Sequence, residues 1–153
     1  MRSLLEIKNV LYLQCLTIVE EKIARAQTGM KAAQEAANNE GKSSMGDKYE
    51  TGRAMMHLEK DKRAMQLVEV AKMKKVLDLI FPGKELSTVA LGSLVITNTA
   101  NYFLSVSIGG LKVDDTSYFA VSPATPIGKL ILGLQKGDTF NFNGNTVLIQ
   151  DCL

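Results

Sequence analysis

Asp47 and Glu50 are the residues of this chain best placed to do chemistry. They lie in Gly46-Asp47-Lys48-Tyr49-Glu50, three positions apart, so a helix that starts there carries both carboxylates on one face. Adjacent carboxylates at a helix start have a plain use. Asp at the flanking cap position with Glu three residues on forms a capping box, and negative charge there complements the helix dipole. They also present hard anionic oxygen, the ligand type that magnesium prefers. The other reactive side chains say less. His57 is the single histidine, on a polar stretch with nothing nearby that would make it a base. Cys15 and Cys152 have neither metal-ligand spacing nor a disulfide framework, which suits a reducing compartment. Cys15 falls in an apolar stripe and reads as a small core residue.

The elements that would position the two carboxylates are helical. From Ser3 to Asn39 there is no proline and one glycine, Gly29, so a long first helix is expected. Asn38 to Gly46 is a cluster of breakers, and a second helical pattern runs from about Asp47 to Phe81, where Pro82-Gly83 stops it. The two make an antiparallel hairpin. Leu4, Ile7, Leu11, Leu16 and Val19 then fall opposite Ile80, Leu77, Val76, Val70 and Leu67, an apolar base. Further out, Ala24, Ala26, Ala32, Ala33, Ala36 and Ala37 permit close contact but bury little. About 25 residues per helix at 1.5 Å each would carry the turn on the order of 35–40 Å beyond that base. Met55, Met56, Met65 and Met73 read as packing residues. Lys22, Arg25, Lys31, Lys42, Lys48, Arg53, Lys60, Lys62 and Arg63 alternate with Glu20, Glu21, Glu35, Glu40, Glu59 and Asp61 along the arm. They read as a solvated mixed-charge face, or as cations that meet RNA phosphates.

The second half changes period. Val89–Ile96, Tyr102–Ile108 and Tyr118–Val121 read as strands, and Thr139–Phe142 and Thr146–Ile149 flank Asn143-Gly144, a type I′ hairpin signal. Between them Thr125 caps a helix whose first residue is Pro126, with Ile127, Leu130, Ile131 and Leu134 as one apolar stripe. The fold class is therefore α+β: a long N-terminal antiparallel helical hairpin (coiled coil) over residues 1–81, then a mostly antiparallel β domain with one crossing helix over 84–153.

The bulk composition excludes several functions. The 153 residues carry a net charge of +2, too little for a protein that mainly binds RNA or DNA. With no tryptophan and 6% aromatics, a base-stacking platform is not expected. The apolar N-terminus is broken by Glu6, Lys8, Asn9 and Gln14, so neither a signal peptide nor a membrane span fits.

Thr125-Pro126-Ile127-Gly128-Lys129, followed by Gly133 and by Gly137-Asp138, resembles the C-terminal signature of the bacterial GreA/GreB transcript cleavage factors. Val89-x-x-Gly92-Ser93-x-Val95 is similar to the first strand of that family, and Gly46-Asp47-x-x-Glu50 to its hairpin tip. The resemblance spans both halves and implies an FKBP-like C-terminal domain. It also implies a cytoplasmic transcription elongation factor that binds RNA polymerase, places its hairpin in the secondary channel and meets nascent RNA only indirectly, within the DNA-containing elongation complex. Asp47 and Glu50 would be donated to a magnesium ion shared with the polymerase, stimulating cleavage of backtracked RNA. Such a protein is not an enzyme alone, and it binds no cofactor tightly and no membrane. The chain departs from the family where Glu50 is followed by Thr51-Gly52-Arg53, and in the middle of the β domain. The tip difference keeps a second reading open: a secondary-channel regulator without cleavage activity. A third reading, prolyl isomerisation by the FKBP-like domain, lacks the aromatic-lined pocket it needs.

Overall fold

The computed structural model describes the backbone of residues 2–40 and 46–153, and the side chains of residues 2–39 and 51–153. It is α+β. Two long helices, α1 (Leu4–Glu40) and α2 (Gly46–Asp78), precede six strands and a short helix. The strands are β1 (Leu94–Thr97), β2 (Asn101–Leu104), β3 (Gly109–Val113), β4 (Thr116–Val121), β5 (Thr139–Phe142) and β6 (Asn145–Cys152), and α3 (Pro126–Ile131) lies between β4 and β5. By spatial contact the chain forms two compact units. One joins Met1–Thr17 to Lys75–Leu153, and the other is Ile18–Lys74.

In the first unit α1 starts at a serine cap that the sequence analysis did not single out. The Ser3 hydroxyl accepts from the Glu6 N–H at 3.2 Å and donates to the Glu6 carboxylate at 3.2 Å, which occupies an otherwise free helix-end donor. The six strands run in the order β3-β4-β2-β1-β6-β5. Neighbours among these described strands are antiparallel except β2 and β4, which are parallel because β3 returns the chain along the sheet edge. Asn143-Gly144 makes the expected β5–β6 turn, with φ of 53° and 81°. Asp114-Asp115 makes the β3–β4 turn in the same left-handed region, with φ of 49° and 65°.

Side chains alternate across this sheet. One face carries Val95, Tyr102, Leu104, Val147 and Ile149, packed with Phe140 and with Ile127 and Ile131 of α3. The residues between them, Leu94, Phe103, Tyr118 and Ala120, are buried as well. So are Leu11, Cys15, Leu77 and Ile80 from the helix ends that belong to this unit. The expected apolar stripe of α3 is corrected in one place: Leu130 is exposed. The helix stops at Ile131 instead of continuing to Leu134, because Val89 captures the following chain. The Gly133 N–H donates to the Val89 carbonyl and the Val89 N–H to the Leu134 carbonyl, both at 2.8 Å.

In the second unit α1 and α2 run antiparallel. Gly29 lies against the Arg63 side chain, and Lys22 borders a groove together with Val70. Ala33 and Ala37 are buried, whereas Ala24, Ala32 and Ala36 are exposed. Small residues thus let the helices approach along one line only.

Candidate functional site

The five residues between α1 and α2 lie outside the described residues, and α2 begins at Gly46. Asp47 therefore occupies the first turn of α2 and Glu50 the start of the second, inside the helix instead of flanking it. At such positions negative charge is favourable through the dipole of the exposed N–H groups. Their side chains lie outside the described residues. His57 is exposed on α2, seven residues beyond Glu50. Among the described residues no three His, Cys, Asp or Glu side chains gather as a metal site.

The segment that carries the C-terminal signature is built as follows. The Thr125 hydroxyl accepts from the Gly128 N–H at 3.1 Å and donates to the Ser122 carbonyl at 2.6 Å. The Thr125 N–H also bonds the Ser122 carbonyl, at 3.1 Å. Pro126 takes the first helical position, where its missing N–H is no loss. The turn is drawn so tightly under α3 that a Cβ on Gly128 would stand 2.1 Å from the Ser122 oxygen and 2.9 Å from the Pro123 Cα. The glycine of the signature is thus required by packing.

Two buried polar groups escaped the sequence analysis. Lys8 is 0% exposed, and its ammonium donates to the Lys84 carbonyl at 2.6 Å and the Leu153 carbonyl at 3.1 Å. Burial lowers its pKa, partly offset by Cys152 and Glu85. Gln14 donates to the Lys112 carbonyl at 3.0 Å while its own amide oxygen is buried without a partner. A lysine or glutamine in a helical pattern reads as surface, and only the apolar company of Lys8 (Leu4, Leu5, Leu11) hinted otherwise.

Cys15 is fully buried with its sulfur 4.0 Å from the Ser105 hydroxyl. Burial pushes its pKa up to about 11 from 9.0, and the Ser105 hydrogen bond opposes this only weakly. The folded state thus holds this proton more tightly than the unfolded chain. The stabilisation is present in full below pH 9.0 and is lost as pH rises through about 11. Cys15 should account for ~2–3 kcal/mol of alkaline destabilisation. Urea titrations of wild type and Cys15→Ala at pH 8 and pH 11 test this: the variant should lose less between the two. Parallel losses would refute it. Cys152, Tyr102 and Tyr118 are shifted in the same direction by burial and contribute equally to both proteins.

No helix among the described residues is long and apolar enough to cross a membrane. Comparison with known protein families, with curated proteins and with solved structures finds no match in any of the three.

Proposed function

We propose that this protein is a cytoplasmic transcription elongation factor of the Gre type, which docks on RNA polymerase and presents the α1–α2 turn to the polymerase active site. The observation that carries the reading is the position of Asp47 and Glu50. Helices of 37 and 33 residues are joined by five residues, and Asp47 in the first turn and Glu50 at the start of the second follow directly on that junction. The signature turn Thr125–Gly128, at the start of α3, which packs into the sheet core, supports the same family reading from the other half of the chain.

In this role Asp47 and Glu50 contribute anionic oxygens to a magnesium ion held jointly with the polymerase. A bound magnesium ion supplies activation of a water and neutralisation of the leaving oxygen in phosphodiester hydrolysis. The chain's own part is to bring two carboxylates to that place and hold them three residues apart. Alone it has no complete active site.

Stalled, backtracked elongation complexes give the test. Wild type should co-sediment with RNA polymerase and shorten the transcript. Asp47→Asn with Glu50→Gln keeps hydrogen-bonding capacity at the helix start but removes the anionic ligands magnesium requires. The double variant should bind equally and lose at least ~100-fold in cleavage rate, as expected when a transition-state charge stabiliser is removed. Equal cleavage by both proteins would reduce the carboxylates to helix-end charges. Binding without cleavage by either would favour the regulator without nuclease stimulation, the reading that the Thr51-Gly52-Arg53 departure supports. Absence of binding would overturn both.

A further inference from the structure

Two thioethers stand open on the second unit. On α2, Met55 and Met65 are 61% and 70% exposed, where the sequence alone reads them as packing residues. Each is followed three positions on by an exposed aliphatic side chain, Leu58 and Val68, on its own side of the helix. Met56, next to Met55 in the chain, is half-buried, and so are Met30 and Met73. Position around the helix thus sorts the described methionines into two classes.

The thiols of the molecule are held back. Cys15 is fully buried and Cys152 half-buried. Burial raises the pKa of both, which lowers the fraction present as thiolate, the form that oxidants attack. A thioether has no proton to lose, so access decides its reactivity.

We propose that Met55 and Met65 form a reversible oxidation site, at which a peroxide turns an exposed apolar face of α2 into a polar one. Each sulfur gives a lone pair to one oxygen of hydrogen peroxide. The S–O bond forms as the O–O bond breaks, and the other oxygen leaves as water. Sulfur is oxidised by two electrons and the peroxide is reduced by the same two. A dithiol reverses the step: the sulfoxide oxygen leaves as water, the thioether re-forms and the dithiol closes to a disulfide. That is the reaction of the methionine sulfoxide reductases, one enzyme for each sulfoxide epimer. Because both side chains are already exposed, the change alters surface polarity and leaves the packing of the hairpin in place. The inference is independent of the polymerase reading.

The test treats the folded full chain with hydrogen peroxide and follows oxygen uptake residue by residue with tandem mass spectrometry. Met55 and Met65 should each gain one oxygen at an initial rate at least about threefold above those of Met30, Met56 and Met73. Retention on a hydrophobic-interaction column should shorten in step, while the helical circular dichroism stays unchanged. Met55→Leu/Met65→Leu keeps the apolar surface without the thioethers and should lose that shift. Sulfoxide reductases for both epimers, supplied with a dithiol, should return wild type to its original retention. Met56 oxidised as fast as Met55 would overturn the proposal, because access would then not be the selector. Helical signal lost in step with the two sulfoxides would place these side chains in the packing of the arm and overturn it too. A leucine variant that shifts like wild type, or a wild-type shift that the reductases leave in place, would do the same.

Discussion

Replacing Gly128 by alanine should destabilise the protein by at least ~3 kcal/mol, at or beyond the upper end for overpacking substitutions. The atom that a Cβ would meet at 2.1 Å is the Ser122 carbonyl oxygen, with the Thr125 hydroxyl oxygen at 2.9 Å beyond it. A backbone oxygen cannot rotate away as a side chain can. It also accepts from both the Thr125 hydroxyl and the Thr125 N–H, so moving it disrupts the cap of α3 as well. Ile127 and Ile131 would lose their seat in the sheet core with it. Gly83→Ala is the matched control, since a Cβ there meets nothing within 4 Å, and it should change stability by less than ~0.5 kcal/mol. Equilibrium denaturation followed by circular dichroism measures both. Similar midpoints for the two variants would mean that the 122–128 turn yields at little cost.

The second large effect is expected at Lys8. Lys8→Ala removes the four-carbon stem from a fully buried position and takes the ammonium from the Lys84 carbonyl and from the Leu153 carbonyl, which keeps the Leu94 N–H at 2.9 Å. Hydrogen bonds from a charged donor are worth about 1.5–3 kcal/mol, and a lost buried side chain adds a packing penalty of similar size. A total loss of about 4 kcal/mol follows. Lys8→Met keeps most of the packing and also relieves the protein of a desolvated ammonium, so it should lose clearly less than the alanine variant. The pH response separates charge from packing. Burial lowers the pKa of Lys8 below its ordinary 10.5, so over the window between the folded value and 10.5 the unfolded chain binds more protons. Wild type therefore gains stability from this group as pH rises through that window, a gain that both variants lack. Urea midpoints across alkaline pH for the three proteins check the order and the sign together. Equal loss for Met and Ala would assign the whole effect to the two carbonyls.

The sequence made some of this legible and hid the rest for physical reasons. Long runs of helix formers bounded by breakers announced α1 and α2, and Asn143-Gly144 announced its hairpin, because asparagine and glycine tolerate positive φ. Asp114-Asp115 makes an equivalent turn from residues that reach positive φ less readily, and it follows Gly109-Gly110, which reads as a breaker. That is why β3 and the parallel β2–β4 pairing went unseen. The end of α3 was set by hydrogen bonds to Val89, a partner more than forty residues away in sequence, so local periodicity extended the helix too far. Among candidate site residues, Thr125 and Gly128 were legible as a capped helix start. The need for glycine at 128 depends on the path of Ser122–Thr125 and is visible only in three dimensions. For Asp47 and Glu50 the sequence placed Asp47 at the flanking cap position, whereas α2 already begins at Gly46, because helix boundaries depend on backbone bonds that residue type alone does not fix.

The bond from Lys8 to Leu153 joins residues 145 apart in sequence. During synthesis at about 5–20 residues per second, Lys8 waits roughly 7–30 s for this acceptor to be made. The unit that contains it is assembled from Met1–Thr17 and Lys75–Leu153, so its early segment meets Leu77 and Lys84 first and the strands only later. Ile18–Lys74 needs nothing made later and can pair as it leaves the ribosome. Cys15, destined to be fully buried beside Ser105, lacks that partner for much of the interval, and apolar surface left open near the head of a helix is the kind on which a holding chaperone acts.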